Sequence, residues 1–154
     1  MNIKFVKNTP KIWVKNFPWK KQKDHKYSRG KLVVLGSQKH MTGSTILSAE
    51  SALRVGTGSV KILSSKQTLP IYSTKFPSAL KEEINNLKSL SRFINKEKSS
   101  TYLIGPGAGS NNSTKQKTRL ILRKIKNVVV DADSLTCFKR KPEDLYRLLD
   151  KNKV

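Results

Sequence analysis

The stretch that most constrains the fold of this chain is residues 26–62, because it contains a strand, a helix and a second strand in succession. Residues 32–35 are a short continuous apolar run, which is typical of a strand covered on both faces. From Gly43 onward, apolar residues recur every three or four positions, which predicts a helix with one apolar face. Gly56 then stops the helix, and residues 59–63 begin a second strand. Since such a crossover normally joins parallel strands, the sequence predicts a βαβ unit and an α/β fold.

The rest of the chain predicts helices and strands that would extend the same sheet. Helical spacing predicts helices at residues 78–95, 113–124 and 142–150, and apolar runs predict strands at 101–104 and 127–130. The last of these strands ends in three valines, which indicates that it is buried in a parallel sheet. Residues 65–77 are polar and contain proline, so they are predicted to form a loop.

Residues 1–24 form a lysine-rich lead-in, which we separate from an α/β domain at residues 25–154. Prolines argue against a helix through the lead-in. We therefore expect an extended arm that lies across the domain and buries the rings of Trp13 and Trp19. The alternative is an aromatic platform on which nucleic-acid bases stack.

The chain is strongly basic, with 32 Lys and Arg residues against 10 Asp and Glu residues and a net charge of +22. This charge would suit a polyanion such as RNA or DNA. However, the basic residues are spread along the whole chain, and lysine heavily outnumbers arginine, which is the residue that suits bidentate phosphate contacts. We therefore disfavour a nucleic-acid partner, and the charge is equally compatible with a small anionic ligand.

Metal, redox and membrane roles are limited by the residues that the chain contains. Cys137 is the only cysteine, which excludes an internal disulfide and a cysteine-based zinc cluster. Two histidines are too few for a histidine metal site without carboxylates, and we assign no metal ligand. No apolar run is long enough to span a bilayer, and the N-terminus lacks the apolar core of a signal peptide. These features predict a cytoplasmic protein.

Three polar or glycine-rich turns directly follow three of the predicted strands. The first contains Gly43 and Ser44, the second is Gly105-Pro106-Gly107-Ala108-Gly109, and the third carries Asp131 and Asp133. Because ligands bind at the carboxyl ends of strands in open α/β sheets, we expect the turns to line one crevice. Structural roles are the alternatives, since a tight turn also needs glycine and Asp133 would suit the N-cap of a short helix.

The residues around these turns resemble a known family. The stretches that carry the resemblance are HKYSRGKLVVLGSQKHMTGS, SALRVGTGSVKI, IGPGAGS and VVVDADSLTCF, in that order. Together they look like the ADP- or ATP-dependent NAD(P)H-hydrate dehydratases of the ribokinase-like superfamily, over residues 13–154. The lead-in also resembles the segment that joins an epimerase domain to the dehydratase domain in bifunctional repair enzymes. The resemblance implies a ribokinase-like, three-layer fold in which helices flank a parallel sheet.

The resemblance further implies a hydro-lyase that repairs hydrated NADH or NADPH, a small dinucleotide. ADP or ATP, with Mg²⁺, would donate a phosphoryl group to the hydroxyl of the hydrate, and elimination of phosphate would restore the dihydronicotinamide. Matching by residue assigns substrate-binding roles to members of the three turns. These are Gly43, Ser44, Gly105, Gly107, Gly109, Asp131 and Asp133.

The sequence also departs from the family in ways that affect activity. The family's Pro-His-x-Gly-Glu loop, its adenine-nucleotide segment and the Gly-Thr-Gly-Asp motif that carries the catalytic base lie beyond the position matching Val154. Gly56-Thr57-Gly58-Ser59 looks like that last motif, but Ser59 replaces the aspartate. We therefore expect a truncated, N-terminal half of the domain, with no catalytic residue, inactive unless a separate chain supplies the other half. The alternatives are a non-catalytic nucleotide-binding remnant and a basic nucleic-acid-binding protein.

Overall fold

A five-stranded parallel sheet lies at the centre of the computed structural model, which describes residues 5–150. The strands are β1 (Lys31–Leu35), β2 (Ser59–Ser64), β3 (Leu80–Glu83), β4 (Thr101–Ile104) and β5 (Val128–Val130). Their order across the sheet is β3-β2-β1-β4-β5, and every neighbouring pair is parallel. The predicted parallel α/β fold is confirmed.

Helices cover both faces of this sheet. The α-helices of the described residues are α1 (Pro10–Trp13), α2 (Thr42–Val55), α3 (Leu69–Lys75), α4 (Leu87–Lys96), α5 (Asn112–Lys124), α6 (Asp133–Thr136) and α7 (Glu143–Asp150), and α2 to α5 pack directly on the sheet. On one face, Ala49 of α2 and Tyr72 of α3 pack with Ile62 of β2 in a buried cluster. On the other face, Ile94 of α4 and Ile121 of α5 pack against β1 and β4. The predicted three layers, helix on sheet on helix, are therefore present.

The predicted C-terminal helix forms α7, which packs against α5. Leu145 and Leu148 of α7 are buried together with Leu122 and Phe138 in a third apolar cluster. Within residues 5–150, none of the helices combines the length and the apolar character that crossing a bilayer requires.

The opening βαβ unit forms as the sequence predicts. Helix α2 ends at Val55, and Gly56 follows with φ 108 while its N–H donates to the carbonyls of Ala52 and Leu53. A residue with a side chain rarely adopts this left-handed conformation, which is why a glycine ends the helix.

The loop predicted at residues 65–77 is wrong, because α3 lies within it. Pro70 occupies the first turn of α3, where a proline costs no helical hydrogen bond. Tyr72 is completely buried against the sheet. Burial of this large side chain stabilises a short helix that its polar sequence does not reveal.

The helix predicted at residues 78–95 is correct only in its second half. Its first part forms β3, which pairs with β2 at the edge of the described sheet. Helix α4 begins at Leu87, where Asn86 and Ser89 exchange hydrogen bonds in a capping box. The predicted helix placed Leu80 on its buried apolar face, but Leu80 lies in β3 and is 58% exposed.

The lead-in does not bury its tryptophans, contrary to the prediction. Residues 10–16 are helical, and Trp13 and Trp19 are 44% and 58% exposed. The ring of Phe17 lies between them, with its centroid 6.0 Å from Trp13 and 4.6 Å from Trp19. The three aromatic rings therefore contact one another, and both tryptophans stay exposed. The division at residue 24 stays a prediction, and residues 1–4 and 151–154 of the two predicted segments lie outside the described residues.

Strand β5 is only partly buried, although its valines indicated a buried strand: Val128 and Val130 pack against the apolar clusters. Val129 is 52% exposed. Among the described residues β5 pairs only with β4, so it forms a margin of the sheet with one uncovered side.

Candidate functional site

The carboxyl ends of β1 and β4 lie side by side at the point where the strand order reverses. From β1 the chain adds β2 and β3 on one side, and it then crosses over to add β4 and β5 on the other. The connections after β1 and β4 therefore leave in opposite directions, which opens a crevice at this edge of the sheet. All the candidate site residues follow β1, β4 or β5.

The first turn, residues 36–44, is held in place by buried hydroxyl groups. The Ser37 N–H donates to Thr45 Oγ1 at 3.0 Å and to the Tyr72 hydroxyl at 3.2 Å. The Ser37 hydroxyl donates to the Met41 carbonyl at 2.7 Å. Thr45 and Tyr72 come from α2 and α3, so both helices fix the shape of this turn. Sequence reasoning missed this cluster, because no local pattern marks three residues that meet only in the fold.

The second turn, residues 105–109, contacts the first directly. The Gln38 N–H donates to the Gly107 carbonyl at 2.8 Å, and the Ser44 hydroxyl donates to the Pro106 carbonyl at 3.1 Å. Gly107 has φ 66. A Cβ added to it would overlap the Ser44 hydroxyl and lie 2.9 Å from the Ser37 Cβ. Only glycine permits so close an approach between the two turns.

The third turn, residues 131–134, contacts the second. Asp133 Oδ2 accepts the Gly109 N–H at 2.8 Å, and the Asp131 N–H donates to the Ile104 carbonyl at 3.1 Å. Gly105, with φ 132, lies so close to the Asp131 carbonyl that there is no room for a Cβ. The carboxylate of Asp131 is exposed and has no partner within residues 5–150.

Asp133 does not cap a helix, so the structural alternative for this residue is wrong. Helix α6 begins at Asp133 itself, and Ala132 precedes it as the N-cap without a side-chain hydrogen bond. Ala132 has φ 44, which costs a non-glycine residue about 1–3 kcal/mol unless its surroundings hold it. The hydrogen bond from Gly109 to the neighbouring Asp133 supplies part of that support.

The three turns therefore meet at one edge of the sheet. Contacts between turns join six of the predicted site residues: Ser44, Gly105, Gly107, Gly109, Asp131 and Asp133. Gly43 lies exposed at the start of α2, and apart from its chain neighbours and the backbone of its own helix no described atom lies within 4 Å of a Cβ added to it. These contacts explain the glycines of the second turn structurally. A substrate-binding role for the seven residues stays a prediction.

A cleft of about 250 Å³ opens beside the turns at the ends of β1, β2 and β4, and we call it the strand-end cleft. Its apolar lining comes from Leu35, Leu63, Leu90 and Ile104. Lys117 of α5 is the only charged side chain among the described residues that line it. Sequence reasoning missed Lys117, because nothing in its neighbourhood distinguishes it from the many other lysines.

The acidic side chains of the turns do not by themselves form a metal centre. Residues 5–150 contain no group of three or more His, Cys, Asp or Glu side chains that could hold a metal ion. One carboxylate oxygen of Asp133 already accepts a backbone N–H. Proteins often bind Mg²⁺ through one or two carboxylates together with substrate phosphates. The side chains of these turns are too few to bind Mg²⁺ by themselves. Of their two carboxylates, only that of Asp131 is exposed.

The sequence matches the model of a protein family described as NAD(P)H-hydrate dehydratase over residues 31–154. An ADP-dependent (S)-NAD(P)H-hydrate dehydratase from Listeria monocytogenes is 29% identical over 135 residues, which are 86% of this chain and 48% of that protein. A bifunctional NAD(P)H-hydrate repair enzyme from Dictyoglomus turgidum is 34% identical over 125 residues, which are 75% of this chain and 24% of that protein. The chain thus spans about half the length of the single-function relatives that it matches, and a smaller share of the bifunctional ones.

Solved structures show the same fold. An ADP/ATP-dependent NAD(P)H-hydrate dehydratase from Bacillus subtilis, co-crystallised with ATP and Mg²⁺, is similar with a TM-score of 0.64 and 24% identity over 77% of this chain and 42% of that one. A ribokinase-like superfamily protein from Enterococcus faecalis is similar with a TM-score of 0.67 and 19% identity over 79% of this chain and 43% of that one. The ribokinase-like fold implied by the sequence is therefore confirmed.

Proposed function

This chain belongs to the NAD(P)H-hydrate dehydratase family, and we propose that it forms the substrate-receiving part of such a dehydratase. The observation that carries the proposal is the meeting of the three turns at the strand-order reversal, where open α/β sheets bind dinucleotides. The substrate would be hydrated NADH or NADPH, and ADP or ATP would donate the phosphoryl group. Support for these ligands comes from relatives named ADP-dependent or ATP-dependent (S)-NAD(P)H-hydrate dehydratase.

Each turn has a distinct part in this proposal. Gly43 would let the dinucleotide approach the start of α2, since no side chain occupies the space beside it. Ser44 and Asp133 would act as positioning residues, because the Ser44 hydroxyl shares its hydrogen between the Met41 and Pro106 carbonyls and the Asp133 carboxylate accepts the Gly109 N–H. The exposed carboxylate of Asp131 would accept a hydrogen bond from a hydroxyl group of the substrate.

The proposed reaction needs more than these groups. In the first step the hydroxyl oxygen of the hydrate would attack the terminal phosphorus, while the shortened nucleotide leaves and a base takes the hydroxyl proton. Loss of phosphate together with a ring proton would then restore the double bond. We assign no catalytic base in these 154 residues. Any Mg²⁺ would be bound mainly by the nucleotide phosphates, and we assign it no step.

We further propose that turnover requires the other half of the domain, in the same or a separate polypeptide. The share of the relatives' length that this chain spans supports this view. A cytoplasmic location belongs to the same proposal.

Calorimetry with the 154-residue chain tests the proposed function. We expect the chain to bind NADH hydrate in a saturable manner and more tightly than NADH. The Gly43→Leu variant should bind the hydrate at least about tenfold more weakly, because the new side chain fills the space beside the first turn. Ser51→Leu is the matched control, since Ser51 is exposed on the same helix but away from its first turn.

Two results would overturn the proposal. One is hydrate binding no tighter than that of NADH, and the other is equal affinity in the wild-type chain and Gly43→Leu. In parallel, recovery of dihydronicotinamide absorbance with ADP or ATP should require addition of the C-terminal half of a relative's domain. If the 154-residue chain alone restored the dihydronicotinamide absorbance, the proposal that turnover requires the other half of the domain would be wrong.

A further inference from the structure

Lys117 differs from the other lysines of α5 in having no partner among residues 5–150. Lys115 lies 3.8 Å from the Asp144 carboxylate, and Lys124 donates to the side chains of Ser91 and Asn95. The ammonium of Lys117 makes no hydrogen bond or ion pair within residues 5–150. Its side chain is nevertheless half-buried against the strand-end cleft.

The surroundings of Lys117 leave its charge uncompensated. No carboxylate is found among the described residues that line the strand-end cleft. Burial removes water from the ammonium and lowers the pKa of Lys117. A partly dehydrated cation without a counter-ion destabilises a fold. An anion supplied by a ligand would remove this cost.

A second unpartnered polar group lies beside Lys117. Ser113 precedes it by four residues on α5, so the two side chains lie on the same face of the helix. Both line the strand-end cleft, and the Ser113 hydroxyl has no partner in the described part of the chain. A cation and a hydroxyl donor at this spacing form a suitable pair of ligands for one phosphate group.

We propose that the strand-end cleft binds a phosphate-bearing small molecule, with one phosphate group held between the Lys117 ammonium and the Ser113 hydroxyl. The cleft volume of about 250 Å³ is below the roughly 300–1,000 Å³ of pockets that enclose a whole drug-sized ligand, so the cleft takes one end of the molecule. Its apolar lining contacts the carbon skeleton next to the phosphate. Identification of that molecule as the hydrated dinucleotide or its nucleotide co-substrate rests on the proposed function.

Inorganic diphosphate is the probe for this site, titrated into the 154-residue chain and its variants by calorimetry. Lys117→Met should weaken diphosphate binding at least about tenfold, whereas Lys117→Arg should retain most of it. Lys126→Met is the matched control, because it removes the same charge from an exposed lysine after α5. Lys117→Gln is the second variant if the methionine variant does not fold. Ser113→Ala should produce a smaller loss, of a few-fold.

Chemical labelling gives an independent readout. Diphosphate should slow the acetylation of Lys117 by acetic anhydride, measured by mass spectrometry, and should leave Lys126 unaffected. Equal loss of affinity in Lys117→Met and Lys126→Met would show a general effect of charge and would overturn the inference. Absence of diphosphate binding by the wild-type chain would also overturn it.

The hydrate experiments separate this inference from the proposed function. If the wild-type chain binds diphosphate through Lys117 but does not bind NADH hydrate, the proposed function fails and the phosphate site stands. If NADH hydrate binds equally well to the wild-type chain and to Lys117→Met, the proposed function stands and the assignment of Lys117 to this ligand is refuted.

Discussion

Replacing Gly105 with alanine would force the second and third turns apart. The residue has φ 132, a conformation that alanine rarely adopts, and an added Cβ would overlap the backbone carbonyl of Asp131. The overlapped atom belongs to the main chain, so no side-chain rotation can relieve the clash. Either the turn bearing Asp131 moves or the end of β4 distorts.

Two contributions determine how much Gly105→Ala lowers the free energy of unfolding. The unfavourable φ contributes about 1–3 kcal/mol and overpacking against the backbone contributes about 1–3 kcal/mol, so the free energy of unfolding should fall by about 2–6 kcal/mol. Native domains of this size are stable by only about 5–15 kcal/mol. Since 1 kcal/mol shifts the Tm of such a domain by about 2–4 °C, the Tm should fall by about 4–24 °C.

Thermal and urea unfolding, followed by circular dichroism, measure the effect. Gly43→Ala is the matched control, because it adds the same methyl group at a helical position with no atom within 4 Å. This control should be neutral or raise the free energy of unfolding by up to about 1 kcal/mol. Equal stability of Gly105→Ala and the wild-type chain would refute the reasoning, as would equal destabilisation by the two variants.

Three further changes test other contacts. Asp133→Ala should lower the free energy of unfolding, measured by urea denaturation, by about 1.5–3 kcal/mol, because the Gly109 N–H loses its charged acceptor. Asp133→Asn should lower it clearly less, because the amide oxygen still accepts. Tyr72→Phe should cost about 1–2 kcal/mol in the same assay, because its buried hydroxyl accepts the Ser37 N–H; an unchanged urea midpoint would count against the hydroxyl cluster. Lys117→Met should raise the Tm at neutral pH, because the burial that lowers the pKa of this lysine disfavours its charged form, and that charged form destabilises the folded chain at every pH below the folded-state pKa. In the wild-type chain, the destabilisation by the buried Lys117 charge should disappear as the pH rises through the folded-state pKa towards the pKa of free lysine. An equal gain in Tm at neutral and at high pH would therefore contradict a role for this charge.

The helices and strands that the sequence predicted correctly are those whose local pattern matches their environment. Helix α5 has apolar residues at helical spacing and is packed on one side by the sheet. Strand β4 runs straight into the second turn, whose glycines take the positive φ values that their residue type allows. In these segments the local preference and the tertiary contacts agree, so the sequence alone was sufficient.

The wrong predictions occur where tertiary contacts override the local pattern. Leu80–Glu83 has helical spacing but becomes β3, because pairing with β2 satisfies its backbone at the sheet edge. The polar segment at residues 65–77 contains α3, because the Tyr72 ring is buried in the apolar cluster that packs on the sheet. Strand β5 is only partly buried, although its valines are typical of a buried strand, since among the described residues it pairs with β4 alone and Val129 is exposed.

The sequence by itself determined the βαβ unit, the parallel α/β class, the three turns and the family to which the chain belongs. These depend on periodicity, on glycine conformations and on motifs, all of which operate within a few residues. Only the tertiary structure decided that Asp133 holds the second turn and that Ser37 is buried among Thr45 and Tyr72. It alone decided that Lys117 faces the strand-end cleft without a counter-ion in the part of the chain that the structure describes. Such properties depend on distances between segments that are remote in the chain, and a linear pattern does not contain those distances.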